Sequence, residues 1–253
     1  MEARILTYNV LHNRNLFELR AAALFRTIAE SNADIIGFQE VTPWFLDALQ
    51  AEPWMDSYNI ALAVDPRGNS YIHRELLIVT RFPVRWVKTS DLPSNPDEPH
   101  ALLWASVRLA DDMELIVANT HLESRLKYGV LRAKQLDLIF ETLQDFDQVL
   151  LLGDFNFGDG EEPESSHLSV EYADLWSSIY PDNCGYTWNI EKSEMARKGS
   201  YVGEGSRRLD RLLLRSGHLR GSAVRIIGDA PISKEHAQVF PTDHFGVVGT
   251  IRN

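Results

Sequence analysis

The chain is poor in cysteine, in cations and in long apolar runs. Its 253 residues include one cysteine, Cys184, so no intrachain disulfide is available and a reducing compartment suits it. No stretch approaches the roughly 18 uninterrupted apolar residues that a membrane span needs. Strand-like sequence begins within a few residues of Met1, which leaves no room for a signal peptide, and the expected location is cytoplasmic. Cations are outnumbered: 25 Lys and Arg stand against 36 Asp and Glu, a formal net charge of −11. Proteins that grip duplex DNA without sequence preference usually show a basic face, because phosphate neutralisation supplies the affinity. This chain as a whole does not, and its acid excess suits a cation site better. Local basic groups are Arg207, Arg208 and Arg211, and Arg125, Lys127, Arg132 and Lys134. No repeat, low-complexity tract or linker divides the sequence. With 44% hydrophobic residues a substantial core is available, so disorder is not expected.

What is present is a set of apolar runs that end in polar residues. Residues 149–152 read V-L-L-L, the pattern of a strand buried on both faces. The run stops at Gly153, where the backbone can turn, and is followed by Asp154 and Asn156. Two apart, these point to the same side of an extended chain. Gly, Asp and Asn are also common turn formers, so this segment alone reads as a loop. The same event recurs, however. Residues 4–10 carry Asn9 near their end, 34–40 end in Gln39 and Glu40, and 113–121 end in Asn119, Thr120 and His121. Asp210 lies between Arg208 and Arg211 in a further run, and Asp243 and His244 precede the last one, 245–251. Turn chemistry does not account for a Glu, two His and three Asp all so placed.

Between these runs, the pattern predicts a helix over 16–31 with Asn15 as N-cap and a short helix from Pro43 to Leu49. A strand is expected over 58–64, and a hairpin of 75–80 with 84–89 across Arg81-Phe82-Pro83. A loop at 91–99 precedes a second hairpin, 102–109 with 113–120, turning at Ala110-Asp111-Asp112. Helices are expected over 130–143 and 170–179, a flexible acidic segment over 159–167, and a long surface loop over 183–205. Strands follow at 209–214 and 223–227. Interleaved strands and helices imply one α/β domain over 1–253.

The polar residues suit a magnesium-dependent phosphodiesterase, with Mn²⁺ as an alternative ion. Mg²⁺ takes oxygen ligands and is held by one or two carboxylates plus substrate phosphate, roles for Glu40 and Asp243. Asp154 would orient or deprotonate a water, with Asn156 positioning it. His121, His244 and Asn9 would donate to charge gathering on the phosphoryl oxygens, and Asp210 would keep His244 cationic. Trp188 is a candidate stacking surface and Arg208 and Arg211 are candidate phosphate ligands, although packing and pairing with nearby acids explain these three equally well. His12, His73, His100, His167, His218 and His236 lack acidic company and read as surface or structural.

In order along the chain, T-Y-N-V (from Thr7), F-Q-E-V (from Phe38), T-H-L-E-S (from Thr120), L-G-D-F-N (from Leu152), Y-T-W (from Tyr186), R-L-D-R (from Arg208) and P-T-D-H-F-G (from Pro241) resemble the endonuclease/exonuclease/phosphatase superfamily. The resemblance implies a four-layer α/β sandwich, two mixed sheets face to face with helices outside. It also implies a metal glutamate at Glu40, a metal-side aspartate at Asp243 and a phosphate-contacting Asn9. A transition-state His121, a water-activating pair Asp154 and Asn156, and a phosphate-binding His244 oriented by Asp210 complete the set. Within the superfamily the motifs look most similar to the branch that removes 5′-tyrosyl adducts from DNA ends. The sequence departs from it at Tyr8, at Leu11-His12, and at Phe157-Gly158, where that branch carries a DNA-guiding arginine. A general nuclease or a phosphomonoesterase acting on a small phosphorylated molecule is the alternative, and a catalytically dead binding module is a further one. The expected partner is nucleic acid, with no membrane, and the expected state is a monomer.

Overall fold

The computed structural model describes every residue except Asn15, Asp111 and Asp112. The expected N-cap Asn15 and the turn at Asp111-Asp112 therefore lie outside the described residues. The strands are β1 (Glu2–Asn9), β2 (Ile35–Gln39), β3 (Asn59–Ala61), β4 (Ala63–Val64), β5 (Ser70–Tyr71), β6 (Leu77–Thr80) and β7 (Val84–Asp91). They continue with β8 (Ala101–Ala110), β9 (Met113–His121), β10 (Val149–Asp154), β11 (Ala173–Asp174), β12 (Asp210–Arg215), β13 (Arg220–Ile227) and β14 (Gly246–Arg252). The helices are α1 (Phe17–Ser31), α2 (Pro43–Gln50), α3 (Gly129–Leu143), α4 (Leu175–Ile179) and α5 (Glu194–Gly199).

One sheet runs β13-β14-β1-β2-β6-β3 and the other β11-β12-β10-β9-β8-β7. Each is mixed, with a single parallel pair near its middle: β1 with β2, and β9 with β10. Parallel neighbours need a crossover, which α1 and α3 provide. The carboxyl ends of these four strands are where an open α/β sheet offers a crevice. They carry Asn9, Gln39 followed by Glu40, His121 and Asp154.

Alternation along the central strands explains the layers. Ile5, Ile35, Val117, Leu150, Leu152 and Leu212 meet between the sheets. Leu6, Ile36 and Phe38 face outward onto Leu24, Phe25 and Ile28 of α1 and Phe45 of α2. On the other outer face Ile116, Leu151 and Leu213 meet Leu136 and Ile139 of α3. The arrangement is the expected α/β sandwich of two mixed sheets with helices outside. The sheets approach so closely that a Cβ on Gly37 would lie 1.9 Å from Leu152 Cδ1. Gly153 belongs to β10 itself, and a Cβ there would lie 2.0 Å from the Thr120 carbonyl oxygen, so it serves close packing of β10 on β9.

Polar groups also bridge the sheets. Asn119 of β9 donates to the carbonyls of Phe38 (2.8 Å) and Leu77 (3.0 Å), and its oxygen accepts from Gln39 Nε2 at 2.7 Å.

Several expectations are corrected. The hairpin across Arg81-Phe82-Pro83 does not form: β6 pairs with β2 and β3, whereas β7 pairs with β8 in the other sheet. Leu77–Thr80 is buried on both faces and needs a neighbour on each edge, while the Asn59 amide binds Thr80 O (3.3 Å) and Phe82 O (3.0 Å) at the crossing. The strand expected at 58–64 is split into β3 and β4. The helix over 170–179 shrinks to α4, because Ala173 and Asp174 pair with β12 and the Asp174 carboxylate then caps Trp176 N at 2.9 Å. The acidic segment 159–167 is pinned by Glu164, buried against Arg132 (Nε to Oε1 2.8 Å). The region 183–205 is no surface loop throughout: Thr187 and Trp188 are buried, Trp188 bridges to Arg207, and Ser193 caps α5.

Replacing Asn119 by Ala removes the side-chain donor to the Phe38 and Leu77 carbonyls between the sheets, while the Gln39 amide keeps Thr7 Oγ1 (3.2 Å) and the Gly37 carbonyl (3.3 Å). The expected loss is about 3 kcal/mol in urea unfolding, since each buried orphan costs about 1–3 kcal/mol. A loss below about 1 kcal/mol would show that the bridge is dispensable.

Candidate active site

The four carboxyl ends and the two return strands place their polar residues around one point. Asn9 is the last residue of β1, and its amide donates to both Glu40 Oε1 and Asp154 Oδ2 at 3.0 Å each. One side chain thus ties the first sheet to the second. Its own oxygen accepts from Leu11 N at 3.0 Å, and its carbonyl accepts from Thr242 Oγ1 at 3.0 Å. Glu40 and Asn156 both sit in the left-handed backbone region, φ 61° and 55°. Such conformations cost energy for side-chain-bearing residues and cluster at functional sites. Asn156 N–H binds Asp154 Oδ1 (2.9 Å) and its side-chain amide binds Leu122 O (2.8 Å), so the turn after β10 is held on both sides.

Two imidazoles flank Asp154. His121 Nε2 lies 3.5 Å from Asp154 Oδ2, and His244 Nε2 lies 3.6 Å from the same oxygen. His244 Nδ1 is 2.9 Å from Asp210 Oδ2. Asp210 is itself positioned by Thr187, whose hydroxyl oxygen accepts from the N–H groups of Leu209 (2.9 Å) and Asp210 (3.1 Å). Burial by itself would lower the pKa of His244. The negative charges of Asp210 and Asp154 outweigh it and push the value up to about 10. Burial raises the Asp210 and Asp243 carboxyls, with the His244 charge opposing in each case. Glu40 goes the other way. Burial would raise it, but the bond to His12 and the charge on His121 hold it well below the usual carboxylate range.

The structure therefore brings Asn9, Glu40, His121, Asp154, Asn156, Asp210, Asp243 and His244 together. A cavity of about 170 Å³ is lined by Glu40, His121, Asp154, Asn156, Asp243 and His244. Trp188 also lines it, its ring 4.9 Å from that of His244. Arg208 and Arg211 are not brought there. Both are 2% exposed and paired with Asp174 and with the exposed Asp159: Arg208 Nη1 to Asp174 Oδ2 is 2.7 Å and Arg211 Nη1 to Asp159 Oδ1 is 2.7 Å. Their cationic heads have anionic partners already, so they do not reach a substrate phosphate.

A profile of the endonuclease/exonuclease/phosphatase family matches residues 6–244. The chain belongs to this family. Tyrosyl-DNA phosphodiesterase 2 of Rattus norvegicus is 27% identical over 255 residues, covering 97% of this chain and 66% of the relative. Tyrosyl-DNA phosphodiesterase 2 of Gallus gallus is 28% identical over 262 residues, covering 96% of this chain and 65% of the relative. The chain thus spans slightly less than two thirds of the length of these curated relatives. Among solved structures, D. rerio TDP2 complexed with single strand DNA product has a TM-score of 0.81 at 23% identity, covering 100% of this chain and 99% of that chain. Truncated Caenorhabditis elegans TDP2 has a TM-score of 0.76 at 20% identity, covering 100% and 98%. These structures share the family fold.

Three residues around this site were not assigned to it from the sequence, although one of them, Thr187, lies inside the Y-T-W motif. His12 was expected to be surface or structural; its side chain is exposed, yet its Nδ1 is 2.8 Å from Glu40 Oε2 and its N–H donates to the same oxygen at 2.7 Å. That contact pushes its own pKa up to about 9 against the opposing effect of burial. Arg20, buried in α1, donates to the carbonyls of Val10 and Pro241 (2.9 Å each) and Leu11 (2.8 Å), joining the loops that carry His12 and Asp243. Thr187 is the third, holding Asp210. Each of these acts across a long stretch of sequence, where spacing carries no information.

Because the His244 pKa is raised from 6.5 to about 10, its contribution to stability is full below pH 6.5 and is lost as pH rises through about 10. NMR titration of the His244 imidazole should show a doubly protonated ring at pH 8 in the wild type. The Asp210→Asn variant should titrate well below it. An unchanged titration in the variant would mean that Asp210 does not control this ring.

Proposed function

We propose that the chain is a divalent-metal-dependent phosphodiesterase with water as nucleophile, and that its substrate is a 5′-phosphotyrosyl DNA end. One observation carries the hydrolytic reading. Asp154 is fixed at both oxygens, by Asn9 and by the Asn156 amide, with His121 and His244 Nε2 at 3.5 and 3.6 Å. A buried, oriented carboxylate beside two imidazoles can take a proton from water and set positive charge against a phosphoryl oxygen.

Glu40 and Asp243 are suited to hold Mg²⁺ or Mn²⁺. Both carboxylates line the same cavity, and after burial the charge of Glu40 further raises Asp243, a repulsion that a cation relieves. A bound ion of this kind polarises a phosphoryl oxygen and offsets transition-state charge. Asp154 accepts the proton of the attacking water, whose oxygen bonds to phosphorus as the bond to the leaving oxygen breaks. His244, held at Nδ1 by Asp210, directs its Nε2–H to a phosphoryl oxygen, and His121 donates from the other side. Asn9 and Asn156 keep Asp154 in place.

The substrate assignment rests on the relatives, which are named tyrosyl-DNA phosphodiesterase 2, and on the D. rerio structure, which is complexed with single strand DNA product. Trp188 on the cavity wall suits an aromatic group or a base. Phe157 is buried and Gly158 has no side chain, so no cation follows the L-G-D-F-N motif to guide DNA. Arg125, stacked over Tyr201 at 5.7 Å, lines the site cavity and supplies a cation there instead. We take the chain to act as one catalytic domain over 1–253 and as a monomer. The net charge of −11 favours a second reading, a phosphomonoesterase acting on a small phosphorylated molecule.

Excess EDTA should abolish hydrolysis; full activity in its presence would sink the metal-dependent reading. Asp154→Asn should lower kcat by roughly 10²- to 10⁴-fold, the range of general base catalysis. Glu40→Ala should likewise cost activity, with the circular dichroism spectrum unchanged in both variants. A 5′-phosphotyrosyl oligonucleotide, the same strand unmodified and a phosphomonoester should be compared side by side. Release of tyrosine leaving an intact 5′-phosphate is the expected result. Shortening of the unmodified strand, or phosphate from the monoester, keeps the mechanism and discards the substrate.

A further inference from the structure

Packed edge-on against the His121 ring, centroids 5.8 Å apart, is a second histidine, His100. It belongs to a cluster that the hydrolytic site does not use. Glu98, His100 and Glu123 each offer one ligand atom, and all three atoms lie within 4.8 Å of one another. The three come from the loop before β8, the residue preceding β8 and the turn after β9, so the fold, not local sequence, assembles them.

Among the described residues, two atoms in this cluster have no hydrogen-bond partner: His100 Nε2 and Glu123 Oε1. His100 is 5% exposed and Glu123 0%, so water does not satisfy them from outside. Nε2 stands 3.6 Å from Glu123 Oε2, beyond hydrogen-bond length. That oxygen accepts from Asn95 N–H, at 3.2 Å. Among the described residues, the single ion-pair contact of Glu123 is this His100 ring. Burial, followed by the charge on His121, pushes His100 down to about 3, so the ring is neutral. It also holds a hydrogen bond to the His121 backbone, which leaves Nε2 as the free nitrogen. Metal-bound imidazoles are oriented in this way, with the second ring nitrogen engaged elsewhere. A buried carboxylate with one unfilled oxygen and a neutral imidazole with one unfilled nitrogen thus lie side by side, and a cation between them would satisfy both.

We propose that Glu98, His100 and Glu123 bind one divalent transition-metal ion of the Zn²⁺ or Mn²⁺ class, separate from the Glu40–Asp243 pair. One imidazole nitrogen and two carboxylate oxygens form a donor set that such ions take, with further positions left open. Mg²⁺ prefers oxygen ligands, so the imidazole distinguishes this site from the other. Bonds of about 2.0–2.2 Å hold donors up to about 4.4 Å apart, so a shift of a few tenths of an ångström by the half-buried Glu98 closes the set. Glu98 and His100 line a cavity of about 700 Å³ that also reaches Glu40 and His121, which gives the ion a route in.

The test uses chelator-stripped full-length chain in excess Mg²⁺, with bound Zn²⁺ counted by equilibrium dialysis. The expected result is one Zn²⁺ per chain, retained in the Glu40→Gln/Asp243→Asn double variant and weakened roughly tenfold or more in Glu98→Gln. Glu98 lies on the half-buried rim, so its variant keeps the fold. With Co²⁺ as a spectroscopic substitute, the double variant should show visible absorption that is lost on adding His100→Gln. Any other result, including no bound Zn²⁺ or binding indifferent to Glu98→Gln, overturns the proposal. Neither readout needs hydrolysis, so failure here is distinguishable from failure of the phosphodiesterase reading.

Discussion

The contact between Gln39 and Asn119 is the constraint on which the molecule turns. Two apolar faces packed together have no intrinsic register, because burial is nearly indifferent to sliding. A buried amide pair is not indifferent, since a shift of one position leaves orphaned donors and acceptors in the core. Asn119 engages both carbonyls of the Phe38/Leu77 pair as well as the Gln39 side chain. Gly37 allows the sheets to come close enough for these bonds to form. One residue beyond Gln39 stands Glu40, and two beyond Asn119 stands His121. The lock between the sheets thus sets the spacing of the site, and Asn9 then spans the gap with a single amide.

Electrostatically the site is a set of buried charges held in opposition. Desolvation works against every one of them, and only mutual contact restores the charged forms. His244 is kept cationic by two carboxylates, and Glu40 is kept anionic by His12 and His121. Acids and bases with separated pKa values are what a hydrolytic site requires. The network of Arg208 and Arg211 with Asp159 and Asp174 uses the same physics for support, and it anchors β12, whose first residue is Asp210.

How much of this was legible in the sequence depended on the range over which each signal acts. The buried run at 149–152 and the polar ends at Asn9, Glu40, His121 and Asp154 are local patterns, and the structure places them as those patterns suggested. Pairing is not local. Nothing within residues 75–89 reveals that β6 and β7 belong to different sheets, because the competing partners, β2 and β8, lie elsewhere in the chain. Charge is ambiguous for the same reason. Arg208 and Arg211 look like phosphate ligands until Asp159 and Asp174 are seen to enclose them. His12 looked idle because its partner, Glu40, is 28 residues away.

The position of β14 has a consequence for synthesis. It lies between β13 and β1, pairing residues 2–7 with residues 247–252. Asp210, Asp243 and His244 likewise come late in the chain, while Asn9 and Glu40 come early. A nascent chain that has emerged only as far as β12 therefore has an open edge on β1, half a site, and no Arg20 contact to Pro241. Contacts this distant in sequence form slowly. Until β14 is made, the edge of β1 stays unpaired and open to wrong partners, and the site is complete only once Asp243 and His244 have joined it.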